Sequence, residues 1–382
     1  MLDPTVSALS LGALLVLVQI ASIAIAGRRI GKVHGTSTFP AGAPVSLVRP
    51  LHGIEAFSDE MLARSFALAY PAYELIFCVA DPDDPIVPRV QGLIADHPQV
   101  PARLILGDER VSDNPKLNNC LRGWRAAAHD WVVLADSNVA MPPDYLQRLQ
   151  AAWRDETGLV CSTPAGARPG SFMAEVECAF LNTLQARWQY AAEAFGLGFA
   201  QGKSMLWHKP FLEARGGLQA LASEIAEDAA ATKLVRAAGK RVHLVASPFE
   251  QPLGSRGFRE VWARQLRWAR LRRVTFPLFF APEIGSGVLL PALLVALWSG
   301  SPVGFAGAAV LAALCYAAEY RLAIRAGWHR APRMLAAFLV RDALIPAIWL
   351  GAWVQSAIVW RGNAMDVRPR RTGVDRACAP TA

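Results

Sequence analysis

Charged residues are scarce in this sequence: 18% of its 382 residues are Asp, Glu, Lys or Arg, while 53% are hydrophobic. A soluble domain carries about 25% charged residues. The deficit argues against a wholly soluble protein and favours a chain with membrane segments. The charges that are present are unbalanced, with a formal net charge of +8. This excess suits an anionic bilayer surface, a nucleic acid or a phosphorylated substrate.

Cysteine is also sparse, and its spacing argues against two kinds of site. The six cysteines are scattered without a C-x-x-C pair: Cys78, Cys120, Cys161, Cys178, Cys315 and Cys378. The lack of a dense framework argues against a disulfide-stapled secreted domain, and the lack of C-x-x-C pairs argues against structural zinc. We therefore expect a reducing compartment.

Charge is missing altogether from residue 7 to residue 27, a stretch of about twenty residues that is long enough to span a bilayer. A cleaved signal peptide is the alternative, because an A-x-A-like sequence ends the stretch. Three basic residues, however, follow it: Arg28, Arg29 and Lys32. This order favours a retained anchor whose C-terminal flank is cytoplasmic. We predict an anchor over residues 1–27 and a linker over residues 28–44.

A C-terminal transmembrane region is predicted over residues 283–361. It contains three apolar stretches, at about 286–300, 303–320 and 334–360. The third carries Arg341 and Asp342, which are costly in lipid unless paired. If this stretch crosses the bilayer once, the basic tail at 362–382 lies outside, against the positive-inside rule. A re-entrant or surface-lying segment would remove the conflict.

Short β-branched runs alternate with helical patterns between residues 45 and 255, which is typical of a doubly wound, mostly parallel α/β sheet. The runs are VSLVR, ELIFCVA, ARLIL, WVVLA, GLVCS and RVHLVA. Two of them end at a carboxylate, Asp81 after ELIFCVA and Asp136 after WVVLA. Either alone is an ordinary turn residue. Because ligands of open α/β sheets bind at the carboxyl ends of the strands, the pair indicates a nucleotide-binding edge.

An arginine-rich segment occupies residues 256–282, and its first part reads RGFREVWARQLRWARLRR. It predicts an amphipathic helix that lies on an anionic membrane surface. Helical spacing places Arg264, Arg267 and Trp268 on one face, which can point instead to the edge of the sheet. RNA binding would require aromatic residues on a sheet platform, so this segment does not favour it.

Two other segments imitate functional motifs but have plain structural explanations. Gly202, Lys203 and Ser204 resemble the end of a phosphate-binding P-loop, yet the motif requires glycine at the position of Leu197. The acidic residues of SEIAED, which include Asp228, begin a predicted helix, where carboxylates favour the positive end of the helix dipole.

Taken together, the motifs resemble the ceramide glucosyltransferase family, whose members have the GT-A fold. The resemblance covers about residues 45–280 and includes the order and spacing of five motifs. These are VADPDDP, NPKLNN, DSN, AEDAAATKLVRAAG and RQLRW. A single anchor before the domain and several helices after it also resemble the family.

The resemblance implies roles for individual residues. On the donor side are Asp81 at the nucleotide, Lys116 and Asp136 at the diphosphate, and the RxxRW residues Arg264, Arg267 and Trp268. Asp228 would be the general base, and Lys203 and His208 would line the acceptor side. Many GT-A enzymes have D-x-D at the second motif, where this chain has Asn138, which brings no charge. Asp136 and Asn138 would bind Mg²⁺ or Mn²⁺, which suit an oxygen site beside a diphosphate.

The function implied by the resemblance is an inverting transfer of glucose from UDP-glucose to the hydroxyl of ceramide, a step of sphingolipid metabolism and glycolipid biosynthesis. The catalytic domain would lie on the cytoplasmic side of a bacterial inner membrane, with no nucleic acid as partner. Three alternatives stay open. In the first, the enzyme transfers another sugar, such as N-acetylglucosamine; in the second, it uses another acceptor, such as diacylglycerol or a hopanoid-type lipid. The third is a non-enzymatic, membrane-anchored scaffold that binds nucleotide or RNA. A processive synthase is disfavoured, because the C-terminal helices are few.

Overall fold

A computed structural model describes residues 4–33, 35–354, 357–360 and 363–366. The strands are β1 Val45–Leu51, β2 Tyr73–Val79, β3 Ala102–Leu106, β4 Trp131–Ala135, β5 Thr157–Ser162, β6 Ala165–Pro169, β7 Ser204–His208, β8 Arg241–Leu244, β9 Glu250–Gly254, β10 Ala357–Trp360 and β11 Asn363–Asp366. Arg368, Arg370 and Arg371 of the predicted basic tail lie outside the described residues.

The helices of the N-terminal half are α1 Pro4–Arg29, α2 Ser58–Phe66, α3 Val87–Asp96, α4 Pro115–Ala126, α5 Tyr145–Gln150, α6 Phe172–Cys178 and α7 Arg187–Ala194. Those that follow are α8 Lys209–Glu213, α9 Glu227–Ala237, α10 Phe258–Thr275, α11 Pro277–Phe280, α12 Leu289–Ser299, α13 Pro302–Arg325 and α14 Met334–Val354. A π-helical stretch, Ala179–Ala186, joins α6 to α7. Two 3₁₀ turns lie at Leu218–Ser223 and Ala281–Gly285.

The central sheet has the strand order β3-β2-β1-β4-β7-β5-β8. β1, β2, β3 and β4 are mutually parallel, and β7 runs antiparallel to both of its neighbours. All six predicted strands form, so the predicted doubly wound α/β sheet is confirmed. β7 was not predicted, because its five residues stand between Lys203 and Lys209 in a segment that resembles a loop motif.

Helices cover both faces of this sheet, which explains why its strands are continuous apolar runs. α4 packs on one face against Val48 of β1 and Ile76 of β2, and α9 belongs to the same core cluster beside β8. α2, α3 and α5 pack on the other against Leu47 and Phe77. The five cysteines in the described part of the chain are buried and free of disulfides.

Among the described residues, three helices are long and apolar enough to cross a membrane: Ser10–Arg29 within α1, then α13 and α14. The segments Pro277–Gly285 and Leu289–Ser299 meet at 55°, as in a broken span or a re-entrant loop. The break therefore falls in the first C-terminal stretch, whereas α14 runs on as a single helix. Arg341 and Asp342 in α14 are buried and paired with each other at 2.7 Å.

Candidate active site

The site is a cluster of charged side chains where β4 ends and β7 begins. These two ends meet because the strands are antiparallel, with Ala135 opposite Ser204. The backbone N–H of Asp136 donates to the carbonyl of Lys203 at 3.0 Å, which continues the ladder by one residue. The predicted carboxylate at the end of β4 therefore lies beside the lysine that precedes β7.

Lys116 crosses from α4 to hold two acids together. Its Nζ lies 2.7 Å from Oδ1 of Asp136 and 2.7 Å from Oε1 of Glu227. The position of Lys116 follows from how α4 begins. Asn114 caps the helix by accepting from the N–H of Lys116 at 3.0 Å, and Pro115 occupies its first turn. The amide Nδ2 of Asn114 also donates to Oε2 of Glu227 at 2.7 Å, which joins α4 to the start of α9.

Lys203 binds the other side of Asp136. Its Nζ lies 2.8 Å from Oδ2 of Asp136 and 3.1 Å from Oδ1 of Asn138. Two oxygen atoms from the DSN motif thus converge on one cationic nitrogen. Oxygen donors of this kind are those that Mg²⁺ and Mn²⁺ prefer. Within the described residues, no group of three or more His, Cys, Asp or Glu side chains could hold a metal ion.

The two lysines set the electrostatics of the cluster. Burial alone would raise the pKa of Asp136, but the charges of Lys116 and Lys203 outweigh it and hold that pKa well below its usual range. Burial likewise opposes the charge on Lys116, yet Asp136 and Glu227 raise its pKa above the ordinary value. Asp136 is therefore ionised and Lys116 is charged over the whole physiological range of pH.

Asp228 behaves differently from Asp136 although both belong to the same cluster. Burial, followed by the neighbouring charge of Glu227, raises the pKa of Asp228 to about 7. The backbone N–H of Gly202 donates to its Oδ2 at 3.3 Å. A carboxyl group with this pKa exchanges protons near neutral pH, which is what a general base requires.

Gly202 is the position where three parts of the cluster meet. A Cβ atom there would lie 2.6 Å from Oε1 of Glu227 and 2.8 Å from Nζ of Lys116, so any side chain would push the ion pair apart. The lysine of a P-loop is followed by a helix, whereas Lys203 is followed by strand β7. The local structure therefore also argues that this segment is not a P-loop.

Arg49 supports the loop that carries Asp136. The guanidinium is completely buried, and it donates to the carbonyls of Asp136 at 3.0 Å and Ser137 at 2.8 Å. Burial lowers the pKa of Arg49 to about 10. Because the buried guanidinium of Arg49 bonds to both carbonyls, it holds the turn after β4 in place, and the carboxylate of Asp136 faces the lysines.

Asp81 is exposed at the end of β2, apart from the cluster. Its Oδ1 accepts from the N–H of Asp83 at 2.9 Å, as in an ordinary Asx turn. One strand, β1, separates β2 from β4, so the ends of β2 and β4 are about 10 Å apart along the sheet edge. The contact of Asp81 with a nucleotide stays a prediction.

The RxxRW motif lies on α10, and its first arginine faces the cluster. Arg264 pairs with the buried Glu177 at 2.7 Å and lies 4.9 Å from the ring centre of Trp268. Burial lowers the pKa of Lys203, and the charge of Arg264 lowers it further, while Asp136 opposes both. Arg267 is half-buried on the same helix. Trp268 packs against a small apolar cluster formed by Ala174, Cys178, Leu181 and Leu253.

The structure does not bring His208 to this cluster. His208 ends β7 opposite Trp131, the first residue of β4, whereas Asp136 follows the last. Five residues along a strand, from Trp131 to Asp136, correspond to about 17 Å. The ring centre of His208 lies 4.8 Å from that of Trp131, at the end of β4 opposite to Asp136. Lys203 and His208 were predicted together on the acceptor side; in the structure Lys203 directly precedes the extended strand β7 and His208 ends it, so the two lie at opposite ends of that strand.

Sequence reasoning did not single out three residues of the site: Arg49, Gly202 as a packing position, and Glu227 as a partner of Lys116. A signal existed for two of them. Arg49 is an arginine inside an otherwise apolar strand, and Glu227 adjoins the predicted base. The role of Gly202 depends on contacts between α4, β7 and α9, which no local pattern reveals.

Comparison with known proteins identifies the family of this chain. The profile of glycosyl transferase family 21 matches residues 12–372, and the chain therefore belongs to that family. Ceramide glucosyltransferase 1 of Caenorhabditis elegans is 26% identical over 341 residues, which cover 87% of this chain and 72% of that protein. Ceramide glucosyltransferase of Komagataella phaffii is 36% identical over 99 residues, covering 25% and 19% of the two chains.

The fold has a solved counterpart. A mannosyltransferase from Pyrobaculum calidifontis, in complex with GDP-Man and Mn²⁺, superposes with a TM-score of 0.50 at 18% identity. The alignment covers 91% of this chain and 98% of that one. It shows that the chain has the GT-A fold.

Proposed function

Because the chain belongs to glycosyl transferase family 21, we propose that it is an inverting, membrane-bound hexosyltransferase that transfers glucose from UDP-glucose to the hydroxyl of ceramide. The observation that carries the proposal is the difference in ionisation between two carboxylates of the cluster. Asp136 is ionised between two lysines, while Asp228 next to them has a pKa of about 7. One carboxylate is suited to binding charge and the other to moving a proton.

The donor would lie along the edge of the sheet from Asp81 to Asp136. The cationic groups at this edge, Lys116, Lys203 and Arg264, would face the diphosphate. They would stabilise the negative charge that gathers on the leaving group as the glycosidic bond breaks. Arg267 and Trp268, on the same helix, would complete the donor site.

Asp136 and Asn138 would hold a divalent cation such as Mn²⁺ or Mg²⁺, which would supply further stabilisation of charge on the diphosphate. Their oxygens suit the ion, since both already contact one cationic nitrogen, Nζ of Lys203. Lys203 would have to leave this position when the ion binds. Its ammonium would otherwise supply part of the same positive charge.

Asp228 would act as the general base. It would accept the proton of the lipid hydroxyl while the hydroxyl oxygen forms a bond to C1 of the sugar. The bond from C1 to the diphosphate oxygen breaks in the same step, and attack from the opposite face inverts the anomeric centre. An α-linked donor would thus give a β-glucoside.

The acceptor would reach the site from the membrane side. α10 packs against α14, one of the candidate spans, and presents the exposed Phe258. The following helix, α11, exposes Leu278 and Phe279, which are 87% and 56% accessible. These apolar groups would contact lipid beside the site. With Arg28, Arg29 and Lys32 marking the cytoplasmic flank of α1, the catalytic domain would lie in the cytoplasm at a bacterial inner membrane.

The test is a radiolabel transfer assay on the purified full-length protein in detergent. UDP-glucose is offered with ceramide, diacylglycerol or a hopanoid, and with Asp228→Asn and Glu224→Gln as variants. Glu224 is the matched control, because it precedes the same helix but pairs with Lys233 outside the cluster. We expect label in ceramide, a loss of about 10³-fold in Asp228→Asn, and near-normal transfer in Glu224→Gln.

The other outcomes are equally informative. Label in diacylglycerol or a hopanoid would keep the mechanism and replace the acceptor, and label only from another nucleotide sugar would replace the donor. Full activity of Asp228→Asn would refute the base. If no sugar is transferred although UDP binds, the scaffold alternative would replace the enzyme.

A further inference from the structure

A cavity of about 750 Å³ lies at the C-terminal end of α1. It is enclosed by four segments: the end of α1, the turn between α5 and β5, the end of α7, and the residues at and after the end of β8. β8 is the edge strand of the sheet, three strand spacings or about 14 Å from β4. No residue of the proposed donor or acceptor site lines this cavity.

Positive charge dominates the lining. Its cationic side chains are Arg28, Arg29, Lys32, Arg148 and Arg154, against the carboxylates Glu156 and Glu193. Glu193 is already paired with Arg29: its Oε2 lies 2.6 Å from Nε of Arg29, and only 6% of its side chain is exposed. Glu156 faces His243 at 3.6 Å, and burial lowers the pKa of His243, so that ring is neutral at pH 7.

Two of these cations, Arg28 and Lys32, make no ion pair within the described residues. Both are exposed and line the cavity. Arg29, by contrast, is built into the wall: it donates to the carbonyl of Leu244 at 2.8 Å and to Oε1 of Glu193 at 2.9 Å. The cavity thus has a fixed wall and two available positive groups at its opening.

If α1 crosses the membrane, the cavity lies near the level where hydrocarbon gives way to phosphate. The candidate span of α1 ends at Arg29, the residue that forms the cavity wall. Two apolar side chains that line the cavity, Phe195 and Val33, are 71% and 55% exposed. Exposed apolar groups beside unpaired cations match a molecule with a phosphate at one end and a hydrocarbon part at the other.

We propose that this cavity binds a phosphate-bearing anion, the headgroup of an anionic phospholipid in the leaflet where α1 ends. Arg28 and Lys32 contact the phosphate, and Phe195 contacts the glycerol and upper acyl region. The ligand ties the anchor to the edge of the catalytic sheet at a distance from the reaction. A soluble phosphate shares the headgroup chemistry, so the experiment includes it as a separate arm.

The experiment uses the full-length protein in nanodiscs of phosphatidylcholine, with and without phosphatidylglycerol. Retained phosphatidylglycerol is counted by native mass spectrometry, and the thermal midpoint is measured in the same discs. We expect saturable retention by the wild type and roughly 30-fold weaker retention by the double variant Arg28→Gln/Lys32→Gln, since each basic side chain contributes about fivefold near the surface.

The matched control is Arg321→Gln/Arg325→Gln. These arginines are exposed near the end of α13, whose Leu322 and Ala323 pack in one core cluster with Ile23 and Ala26 of α1. The control removes the same charge at the same membrane surface without touching the cavity. It should retain phosphatidylglycerol as the wild type does and show the same thermal midpoint response to this lipid as the wild type.

Inorganic phosphate added to discs of pure phosphatidylcholine forms the second arm. A rise in thermal midpoint that the Arg28→Gln/Lys32→Gln variant loses, together with no lipid retention, would keep the site and make soluble phosphate its ligand. Equal loss in both double variants would show general surface attraction and overturn the proposal. Unchanged retention in Arg28→Gln/Lys32→Gln, or no response of the wild type to either probe, would overturn it as well.

Discussion

The molecule contains two clusters of opposite charges that differ in access to ligands. In the membrane region, Glu319 of α13 forms ion pairs with Arg187 at 2.8 Å and with Arg341 at 2.7 Å. All three side chains are completely buried. In the candidate active site, the side chains of Lys116, Lys203 and Asp136 are 12%, 15% and 20% exposed. The first cluster is closed to ligands, and the second can exchange its internal partners for a ligand.

The composition of the two clusters follows the same division. Arg187 and Arg341 balance Glu319 and Asp342 one for one, and Asp342 also accepts from the N–H of Val288 at 2.7 Å. Guanidinium groups suit such fixed, multiple hydrogen bonds. The catalytic cluster uses lysine ammonium groups, which are compact point charges on flexible stems. We infer that arginine here holds helices together while lysine serves a ligand.

The largest effect is expected in the buried cluster. Glu319→Ala leaves two guanidinium groups buried without their shared acid and should cost about 3–5 kcal/mol of stability. The loss would appear as a lower thermal midpoint of the detergent-solubilised protein. Glu283→Ala is the control, because Glu283 pairs with Arg272 in a partly exposed position and should cost at most about 1 kcal/mol. Equal losses in the two variants would remove the distinction between closed and open pairs.

The pH dependence of transfer sharpens the comparison within the open cluster. Asp228 must be deprotonated to accept a proton, and its raised pKa of about 7 means that this form disappears as the pH falls below 7. We expect kcat/KM to drop by about tenfold per pH unit on the acid side, and thus about 100-fold near pH 5. A profile that stays flat down to pH 5 would contradict the assignment of the base.

The smallest effect is expected from Lys203→Met. Removing the ammonium frees the oxygens of Asp136 and Asn138, so Mn²⁺ should bind about tenfold more tightly, as expected when a like charge in contact is removed. Binding is measured by electron paramagnetic resonance of free Mn²⁺, independently of transfer. Lys209→Met is the control, because Nζ of Lys209 contacts the carbonyl of Ala127 at the other edge of the sheet. Unchanged Mn²⁺ affinity would show that Lys203 does not compete with a cation.

Local patterns predicted the features that depend on neighbours in the chain. The strand before Asp136 and the need of Arg341 for a partner follow from an apolar run and from the cost of charge in lipid. The partner Glu319 stands 22 residues away on another helix, so no local pattern could name it.

The contact of Lys203 with Asp136 was not predicted, for a related reason. Its contact with Asp136 exists because β7 enters the sheet between β4 and β5 in the antiparallel direction. That insertion joins segments 67 residues apart in the chain. Short apolar runs do not disclose their direction in a sheet, so the sequence did not show that Lys203 would lie beside Asp136.

The attachment of α1 has a mechanical consequence. Arg29 is bonded to the carbonyl of Leu244, and the N–H of Gly31 donates to the carbonyl of Ala246 at 2.8 Å, so the anchor is fastened to both the last residue of the edge strand and the turn beyond it. A flexible tether would let the catalytic domain tilt or sweep over the bilayer. If α1 spans the membrane and Asp228 is the base of the proposed reaction, this attachment would set the height of Asp228 above the membrane. Under the proposed function, a lipid acceptor would then have to rise to that height, and a lipid whose hydroxyl cannot be lifted that far would be rejected before it contacts Asp228.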